Sequence, residues 1–302
     1  MNDFEYMAAT SVDEVVSLLA ANEDQAVLLA GGTDILVQLR ERLRSADLVI
    51  DVKRVPELSE IRFTPDEGLW LGAAVPCYRI YREPQIEAAY PALVDATRII
   101  GGWQIQSRAS VGGNLCNASP AADSIPALIA HDTVAHVAGP GGTRTIAAES
   151  FCTAPGRNVL ERGEVLVGLK FPPPAFRASS CYQRFIPRNE MDIAVAGAAS
   201  WIALNETGET IQEARLALAA VAPTPVLAEE AGRWLAGKPA TTETFAEAGE
   251  LAKKVASPID DVRGTAEYRV HLTGVLTKRT LAEAVRRARA ALASNDPDPQ
   301  SE

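Results

Sequence analysis

Two short glycine pairs carry the clearest chemical signal in this sequence. The first, Ala30-Gly31-Gly32-Thr33-Asp34, follows an apolar run of strand length and precedes a helical pattern. At such a junction, backbone N–H groups and a helix N-terminus together form a site for an anion. Glycine suits the position because a phosphate can then approach the backbone without a side chain in the way. Taken alone, a Gly-Gly pair after a strand is more often only a turn.

A second segment, Ser110-Val111-Gly112-Gly113-Asn114, repeats this small, donor-rich chemistry about 80 residues later. One phosphate needs one such nest, whereas a pyrophosphate held between two lobes can use two. Neither segment matches the G-x-G-x-x-G or the G-x-x-x-x-G-K-[ST] pattern, which argues against a Rossmann dinucleotide site and a P-loop NTPase. The two segments therefore predict a bipartite pyrophosphate site of another kind.

Asp123 follows the second segment in a polar stretch that contains proline. It precedes Ile125-Pro126-Ala127-Leu128, so one interpretation is an N-cap aspartate that starts a helix. The other is a ligand-binding carboxylate that accepts hydrogen bonds from hydroxyl groups of a ribityl or ribose unit. Both interpretations stay open at this point.

The cysteines and histidines give no sign of a metal site. The four cysteines are about 30 to 40 residues apart and include no C-x-x-C pair, unlike zinc or iron–sulfur ligands: Cys77, Cys116, Cys152 and Cys181. The three histidines have no Asp, Cys or Ser companion at a suggestive spacing and are expected to be structural: His131, His136 and His271. We therefore predict no metal ligand among these residues.

Composition excludes other classes of protein. The chain has 302 residues, a net charge of -10 and a pI near 5.0, and such an acidic balance argues against a nucleic-acid partner. No stretch approaches the roughly 18 consecutive apolar residues of a membrane helix, and the N-terminus lacks the basic start and apolar run of a signal peptide. We expect a cytoplasmic protein with no membrane span, long enough for two domains.

The elements that must position these residues are a mixture of strands and helices. Ser11 and Glu14 have the spacing of a capping box at the start of a helix. Predicted strands at 26–30 and 48–52 surround the first glycine pair, with a helix from about Asp34. Further strands are predicted at 69–73, 133–138, 143–147 and 164–171, and a helix at 91–100.

A domain boundary is predicted near residues 172–178, because Pro172-Pro173-Pro174 ends the preceding strand by lacking the N–H groups that a sheet requires. Three strands (180–185, 194–204 and 211–220) and three helices (225–236, 241–256 and 265–293) follow it. The tail at 294–302 is rich in Pro, Asp and Ser and is predicted to be disordered. The predicted fold class is α+β, with a first domain of residues 1–175, in lobes of about 1–55 and 56–175, and a smaller α+β domain of residues 176–293.

The chain resembles the FAD-binding medium subunits of molybdenum hydroxylases, such as that of carbon monoxide dehydrogenase and the flavin domain of xanthine dehydrogenase. The resemblance spans nearly the whole chain. Its markers are, in order, Leu29-Ala30-Gly31-Gly32-Thr33-Asp34, residues 104–114 (QIQSRASVGGN), residues 118–128 (ASPAADSIPAL), Glu164-Val165-Leu166 before Phe171-Pro172, Asp192-Ile193-Ala194, and residues 261–269 (DVRGTAEYR).

This resemblance implies a two-lobed FAD-binding domain, of the type shared with p-cresol methylhydroxylase and vanillyl alcohol oxidase, followed by the α+β domain. It implies that Asp123 holds polar groups of a non-covalent FAD and that Ile100 and Val167 contact the cofactor. Arg184 stands where xanthine dehydrogenase has a flavin-contacting lysine. The residues that would cradle the pyrophosphate are Leu28, Leu29, Ala30, Gly31, Gly32, Thr33, Asp34 and Ile35 in the first segment and Ser110, Val111, Gly112, Gly113 and Asn114 in the second.

Alternatives remain for the last three positions. Ile100 and Val167 are of a type more often found in a core, and Arg184 could be a surface residue of a strand. An arginine also differs from a lysine in donor geometry. Val195 occupies the position of a second lysine of xanthine dehydrogenase, which puts any NAD-related contact there in doubt.

The resemblance further implies a function. FAD would accept electrons from an iron–sulfur small subunit and pass them to an external acceptor, while the substrate is oxidised at a molybdopterin in a large subunit. The expected assembly is a dimer of heterotrimers. Two alternatives are a self-sufficient flavoprotein oxidase or reductase, for which we find no base or linkage residue, and a flavin-free scaffold, which would have no need of the two glycine segments.

Overall fold

The computed structural model describes residues 3–188 and 190–295. Close contacts divide the chain into two units, and neither unit is one continuous stretch of sequence. The first unit takes the segments up to Ile86, Thr97–Ser119 and Asp132–Pro173. The second takes Glu87–Ala96, Pro120–His131 and the chain from Pro174 onward. The domain and lobe limits inferred from the sequence stay predictions.

Three parallel strands form the first sheet of the first unit: β1 (Glu5–Ala8), β2 (Ala26–Leu29) and β3 (Leu48–Asp51). Their order is β1-β3-β2. Strand β3 is central and buried along its length, as its apolar run predicts for a strand covered on both faces. The sequence indicated β2 and β3 but not β1, because β1 is an edge strand that is mostly exposed and has no apolar alternation.

Helix α1 (Val12–Asn22) begins where the capping pattern predicts. The Ser11 Oγ accepts a hydrogen bond from the Glu14 N–H at 3.2 Å, and the Glu14 carboxylate accepts one from the Thr10 N–H at 2.7 Å. The predicted capping box is thus built on Thr10 as well as Ser11. Val15 and Leu19 then face an apolar core shared with β3.

Antiparallel strands form the second sheet of the first unit. Its first four members in chain order are β4 (Ile61–Thr64), β5 (Gly68–Gly72), β6 (Val134–Gly139) and β7 (Gly142–Ala147). The next two strands, β8 (Cys152–Ala154) and β9 (Arg157–Asn158), pair only with each other. The fifth member of the sheet is β10 (Val165–Lys170). The order is β4-β5-β10-β6-β7. The sheet ladder ends after the Phe171 N–H, which donates to the Leu69 carbonyl at 2.8 Å, because Pro172 has no N–H to offer.

Short helices connect these strands. They are α2 (Ile35–Arg40), α3 (Pro56–Ser59), α4 (Cys77–Ile80), α5 (Pro84–Ala89), α6 (Pro91–Thr97), α7 (Trp103–Gln106), α8 (Val111–Asn117) and α9 (Ser124–Ala130). The helix predicted at 91–100 ends at Thr97. The second glycine segment lies at the N-cap and in the first turn of α8, where Val111 and Leu115 are buried at a spacing of four.

The second unit contains a four-stranded antiparallel sheet in the order β11 (Ala178–Phe185), β12 (Ala196–Leu204), β13 (Ile211–Ala219), β14 (Val226–Leu227). Three helices follow: α10 (Glu229–Leu235), α11 (Thr242–Ala252) and α12 (Ala266–Asn295). The sheet and helices share one core, which includes Cys181, Ile202, Phe245 and Leu276. The helix predicted at 225–236 starts later because β14 takes the first residues.

The mixed α+β class is confirmed. Of the tail predicted to be disordered, residues 294 and 295 belong to α12, and residues 296–302 lie outside the described part of the chain. No helix among the described residues is long and apolar enough to cross a membrane.

Candidate functional site

The two glycine segments lie side by side in the first unit. Gly31 follows β2 and packs against the backbone that leads into α8. A Cβ atom on Gly31 would lie 2.1 Å from the Arg108 carbonyl oxygen and 2.9 Å from the Ala109 nitrogen. Residues that are almost 80 positions apart in the chain are therefore brought together, as a site built from both segments requires.

The four glycines of these segments are needed for different reasons. Gly31 and Gly112 are packed against protein backbone, since a Cβ on Gly112 would lie 2.5 Å from the Ala73 carbonyl oxygen. Gly32 has a φ of +79°, which disfavours any other residue. Gly113 is exposed, and a Cβ there would meet only the Ser110 Oγ, at 3.0 Å. Room for the approach of a ligand is therefore a reason for glycine at residue 113, and the other three positions require glycine for packing or backbone conformation.

Ser110 is the N-cap of α8. Its Oγ accepts a hydrogen bond from the Gly113 N–H at 3.1 Å, which holds the first turn of the helix closed. The first N–H groups of a helix have no acceptor within the helix and attract negative charge. The second segment thus offers a capped helix start beside an open glycine, which is a surface that fits a phosphate.

The first segment is partly core and partly accessible. Leu29 is buried with Leu39, and Leu28 packs against the core around β3, so only the backbone of these two residues is in a position to serve a ligand. Residues 30–33 are half-buried, and Asp34 is exposed at the start of α2. Desolvation by its surroundings raises the pKa of Asp34. Ile35 is half-buried against the Leu29 cluster.

The two apolar contact positions differ in their surroundings. Ile100 is half-buried between the end of α6 and the start of α7. Val167 is half-buried at an irregularity in β10, between Leu166 and Gly168. It packs against the core of the first unit and also lines a groove of about 360 Å³ with Trp70 and His136. Val167 therefore packs in the core, which was the alternative to a cofactor contact at this position.

Asp123 and Arg184 form a buried ion pair in the second unit. Arg184 Nη1 donates to Asp123 Oδ2, and the side chains of the two residues are 6% and 9% exposed. Asp123 stands at the N-cap position of α9, but its side chain makes no capping hydrogen bond. The N-cap position is therefore as one interpretation predicted, but the side chain does not cap the helix, because the carboxylate accepts hydrogen bonds from side chains of β11 instead. The Arg184 side chain is correspondingly buried, which contradicts the alternative of a surface side chain.

A third side chain completes this cluster. Tyr182 Oη donates to Asp123 Oδ1 at 2.8 Å. Burial raises the pKa of Asp123 to about 6, and the charge of Arg184 and the two hydrogen bonds act in the opposite direction. Tyr182 was not among the residues predicted from the sequence, although its position two residues before Arg184 on a strand places both side chains on one face.

The histidines lie apart from one another. His131 is buried behind α9, where its Nε2 is 2.9 Å from the Ser180 Oγ, and burial lowers its pKa to about 3. His136 contacts Trp70 edge to face, and His271 is exposed on α12. Within the described residues, no group of three His, Cys, Asp or Glu side chains is arranged to hold a metal ion. Val195 is a core residue of the second unit.

Known families and proteins match this chain along most of its length. Residues 2–174 match the FAD binding domain in molybdopterin dehydrogenase, and residues 181–284 match the CO dehydrogenase flavoprotein C-terminal domain. The xanthine dehydrogenase FAD-binding subunit of Escherichia coli O157:H7 is 33% identical over 287 residues, which cover 94% of this chain and 97% of that protein.

The medium chain of carbon monoxide dehydrogenase is similar to this chain to the same degree. The medium chain from Hydrogenophaga pseudoflava is 33% identical over 280 residues, which cover 92% of this chain and 96% of that protein. A crystal structure of the enzyme from the same organism, which lacks the Mo-pyranopterin moiety of its molybdenum cofactor, superposes with a TM-score of 0.89. That match is 33% identical and covers 95% of this chain and 98% of the other.

Proposed function

This chain belongs to the family of FAD-binding subunits of molybdenum hydroxylases, as the sequence resemblance predicted, and we propose that it holds FAD non-covalently and relays electrons within an oxidoreductase of several subunits. The observation that carries the binding proposal is the packing of Gly31 against Arg108, which sets the two glycine segments side by side with Gly113 open.

The binding roles follow the chemistry of each segment. We assign the pyrophosphate to residues 28–35 and 110–114, through backbone N–H groups and the start of α8. Neither segment contains a His, Cys or Tyr that could form a covalent bond to a flavin. Asp123 is assigned to hydroxyl groups of the cofactor, and Ile100, Val167 and Arg184 remain proposed contacts. When bound, FAD supplies the exchange between one-electron and two-electron transfer.

The proposed partners are an iron–sulfur small subunit, which supplies electrons, and a molybdopterin large subunit, where the substrate is oxidised. The names of the relatives support this, since a medium chain and an FAD-binding subunit are each one chain of a larger enzyme. We propose a dimer of heterotrimers in the cytoplasm. In such an enzyme this chain needs no catalytic acid or base, because its tasks are to bind and orient the cofactor.

The first test is the colour of the chain by itself. The full chain is purified, incubated with FAD and desalted, and its visible absorbance is recorded. We expect a flavin spectrum with about one FAD per chain that is lost on denaturation, since the link is non-covalent. Protein that stays colourless would overturn the FAD proposal and favour a flavin-free scaffold.

The second test concerns the partners. A tagged full chain is purified from its native cells, and the iron and molybdenum contents of the eluate are measured. We expect both metals with the tagged chain and neither with the chain produced alone. A flavin-containing chain that carries no metal from native cells, and that oxidises a small substrate alone, would support the self-sufficient alternative instead.

A further inference from the structure

The carboxylate of Asp123 is held by two residues of one strand. Tyr182 and Arg184 lie on the same face of β11, and each donates to a different carboxylate oxygen of Asp123. Taken as whole residues, backbone included, Tyr182 is 3% exposed and Asp123 is 7% exposed. A carboxylate accepts about four hydrogen bonds in all, so these two donors leave acceptor capacity and fix the direction in which it points.

The position of the tyrosine hydroxyl depends on a glycine of the neighbouring strand. Gly197 of β12 lies opposite Arg184 in the register of the sheet. A Cβ atom on Gly197 would lie 2.6 Å from the Tyr182 Oη, which is too close for the hydroxyl to stay in place. The absence of a side chain at residue 197 therefore gives the hydroxyl the room from which it reaches Asp123.

We propose that Tyr182 is a positioning residue of the cofactor site, whose hydroxyl orients the Asp123 carboxylate to accept hydrogen bonds from hydroxyl groups of FAD. This inference rests on the proposed function. Tyr182 acts through Asp123 and needs no contact with FAD itself. A buried carboxylate that loses a hydrogen-bond donor favours its protonated form, so the donor from Tyr182 also helps to keep Asp123 ionised.

If Asp123 accepts hydrogen bonds from FAD, the affinity for FAD should depend on pH through the protonation of this carboxyl group. The charged and titratable groups acting on Asp123 are Arg184 and Tyr182, both from β11, while His131 at the other end of α9 faces Ser180. The pKa of Asp123 is about 6, so below that pH the carboxyl is protonated and has less capacity to accept hydrogen bonds. Removing the Tyr182 hydroxyl removes a hydrogen bond that lowers this pKa, and the pKa rises.

The test measures FAD affinity against pH in the full chain. The dissociation constant of FAD is determined from pH 5 to pH 8 by the change in flavin fluorescence. In the unaltered chain it should be constant above about pH 6 and rise below it. In Tyr182→Phe we expect a constant about tenfold larger at pH 7, as for one lost buried hydrogen bond, with the rise starting at a higher pH.

A matched control is available in the first unit. Tyr6 Oη donates to the Asp51 carboxylate at 2.6 Å, which is also a tyrosine–carboxylate hydrogen bond but lies outside the proposed cofactor contacts and on an exposed tyrosine. Tyr6→Phe should leave both the dissociation constant and its pH profile unchanged. Circular dichroism and thermal unfolding of each variant show that the comparison is between folded proteins.

A second variant moves the hydroxyl without removing it. Gly197→Ala should weaken FAD binding in the unaltered chain but change it less than about twofold in the Tyr182→Phe background, since no hydroxyl is left to displace. Equal weakening in both backgrounds, or a Tyr182→Phe profile identical to that of the unaltered chain, would overturn this inference. A chain that binds no FAD at any pH would instead overturn the proposed function.

Discussion

Gly113 is the residue at which the candidate site is open to a ligand. The missing side chains of Gly31 and Gly112 make room for the backbone at Arg108 and Ala73, whereas the missing side chain of Gly113 leaves accessible space. The glycines of one motif therefore have separable effects. Substitutions at Gly113 report on binding, and substitutions at Gly31 or Gly112 report first on folding.

Gly113→Val is expected to weaken FAD binding by more than about tenfold while the chain stays folded, because the added methyl groups occupy the approach to α8. Gly112→Val is the contrasting variant, since its Cβ would lie 2.5 Å from the Ala73 carbonyl oxygen and should destabilise the first unit. FAD titration and circular dichroism separate the two effects. Normal FAD affinity in a folded Gly113→Val variant would contradict this assignment.

At the scale of single elements, helix α9 is held at both ends. All seven of its residues are buried. Asp123 before the helix contacts Tyr182 and Arg184, and His131 after it contacts Ser180. The eight steps from Asp123 to His131 rise about 12 Å along the helix axis, and the four steps from Ser180 to Arg184 span about 13 Å along the strand, so the contacts at the two ends are matched in length. The same strand face therefore serves both ends of the helix.

The titratable groups at the two ends of α9 change the free energy of unfolding in opposite directions as pH changes. Burial lowers the pKa of His131 from 6.5 to about 3, so between these values the unfolded chain binds a proton that the folded chain does not. The free energy of unfolding therefore falls as pH falls through this window. The pKa of Asp123 is raised from 3.8 to about 6, so its contribution is present below pH 3.8 and is lost as pH rises through 6.

His131→Gln should remove the acid-sensitive contribution. We expect the slope of the unfolding free energy between pH 6 and pH 4 to decrease by about 1.4 kcal/mol per pH unit, the value for one proton. Asp123→Asn should change this slope in the opposite direction. Urea unfolding at several pH values measures both, and an unchanged slope in His131→Gln would show that the imidazole is not buried in its neutral form.

Helix α8 depends on its cap for stability. The Ser110 Oγ accepts the Gly113 N–H, and two glycines in the first turns make the helix weak by composition. Ser110→Ala should lower the unfolding free energy by about 1 kcal/mol, the usual value of an N-cap. Ser110→Thr, which keeps the hydroxyl, is the control, and equal stability of the alanine and threonine variants would refute the role of the cap.

At the scale of the whole molecule, the two units are interleaved in sequence. Residues 87–96 and 120–131 belong to the second unit although they precede its sheet in the chain. Helix α9 packs against strands that come more than 50 residues later, as the pairing of Asp123 with Tyr182 and Arg184 shows. If the chain is cut at Pro172-Pro173-Pro174, the N-terminal fragment therefore keeps α9 but loses the strands that α9 packs against.

A fragment of residues 1–175 should consequently behave as an incompletely folded protein. It keeps Asp123, His131 and the buried face of α9 but lacks Ser180, Tyr182 and Arg184. We expect it to bind a hydrophobic dye, to aggregate in size-exclusion chromatography and to hold FAD far more weakly than the full chain. A monomeric fragment with the FAD affinity of the full chain would show that α9 needs no partner from the second unit.

The sequence by itself determined the local features of this protein. Apolar runs placed β2, β3, β10 and the long strands of the second unit, and the capping pattern placed the start of α1, because both signals depend on neighbouring residues. The ordered motifs identified the family, and the two glycine segments, which were singled out by composition, lie side by side in the structure. Strand β1 was missed since an exposed edge strand leaves no hydrophobic pattern.

Only the tertiary structure decided what the individual residues do. It showed that Gly31 and Gly112 make room for backbone, that Gly113 is open, and that the second glycine segment is a helix start. It also joined Asp123 to Tyr182 and set Gly197 beneath the hydroxyl. These facts depend on atoms brought together from distant parts of the chain, and a residue's type and its near neighbours carry no record of such distances.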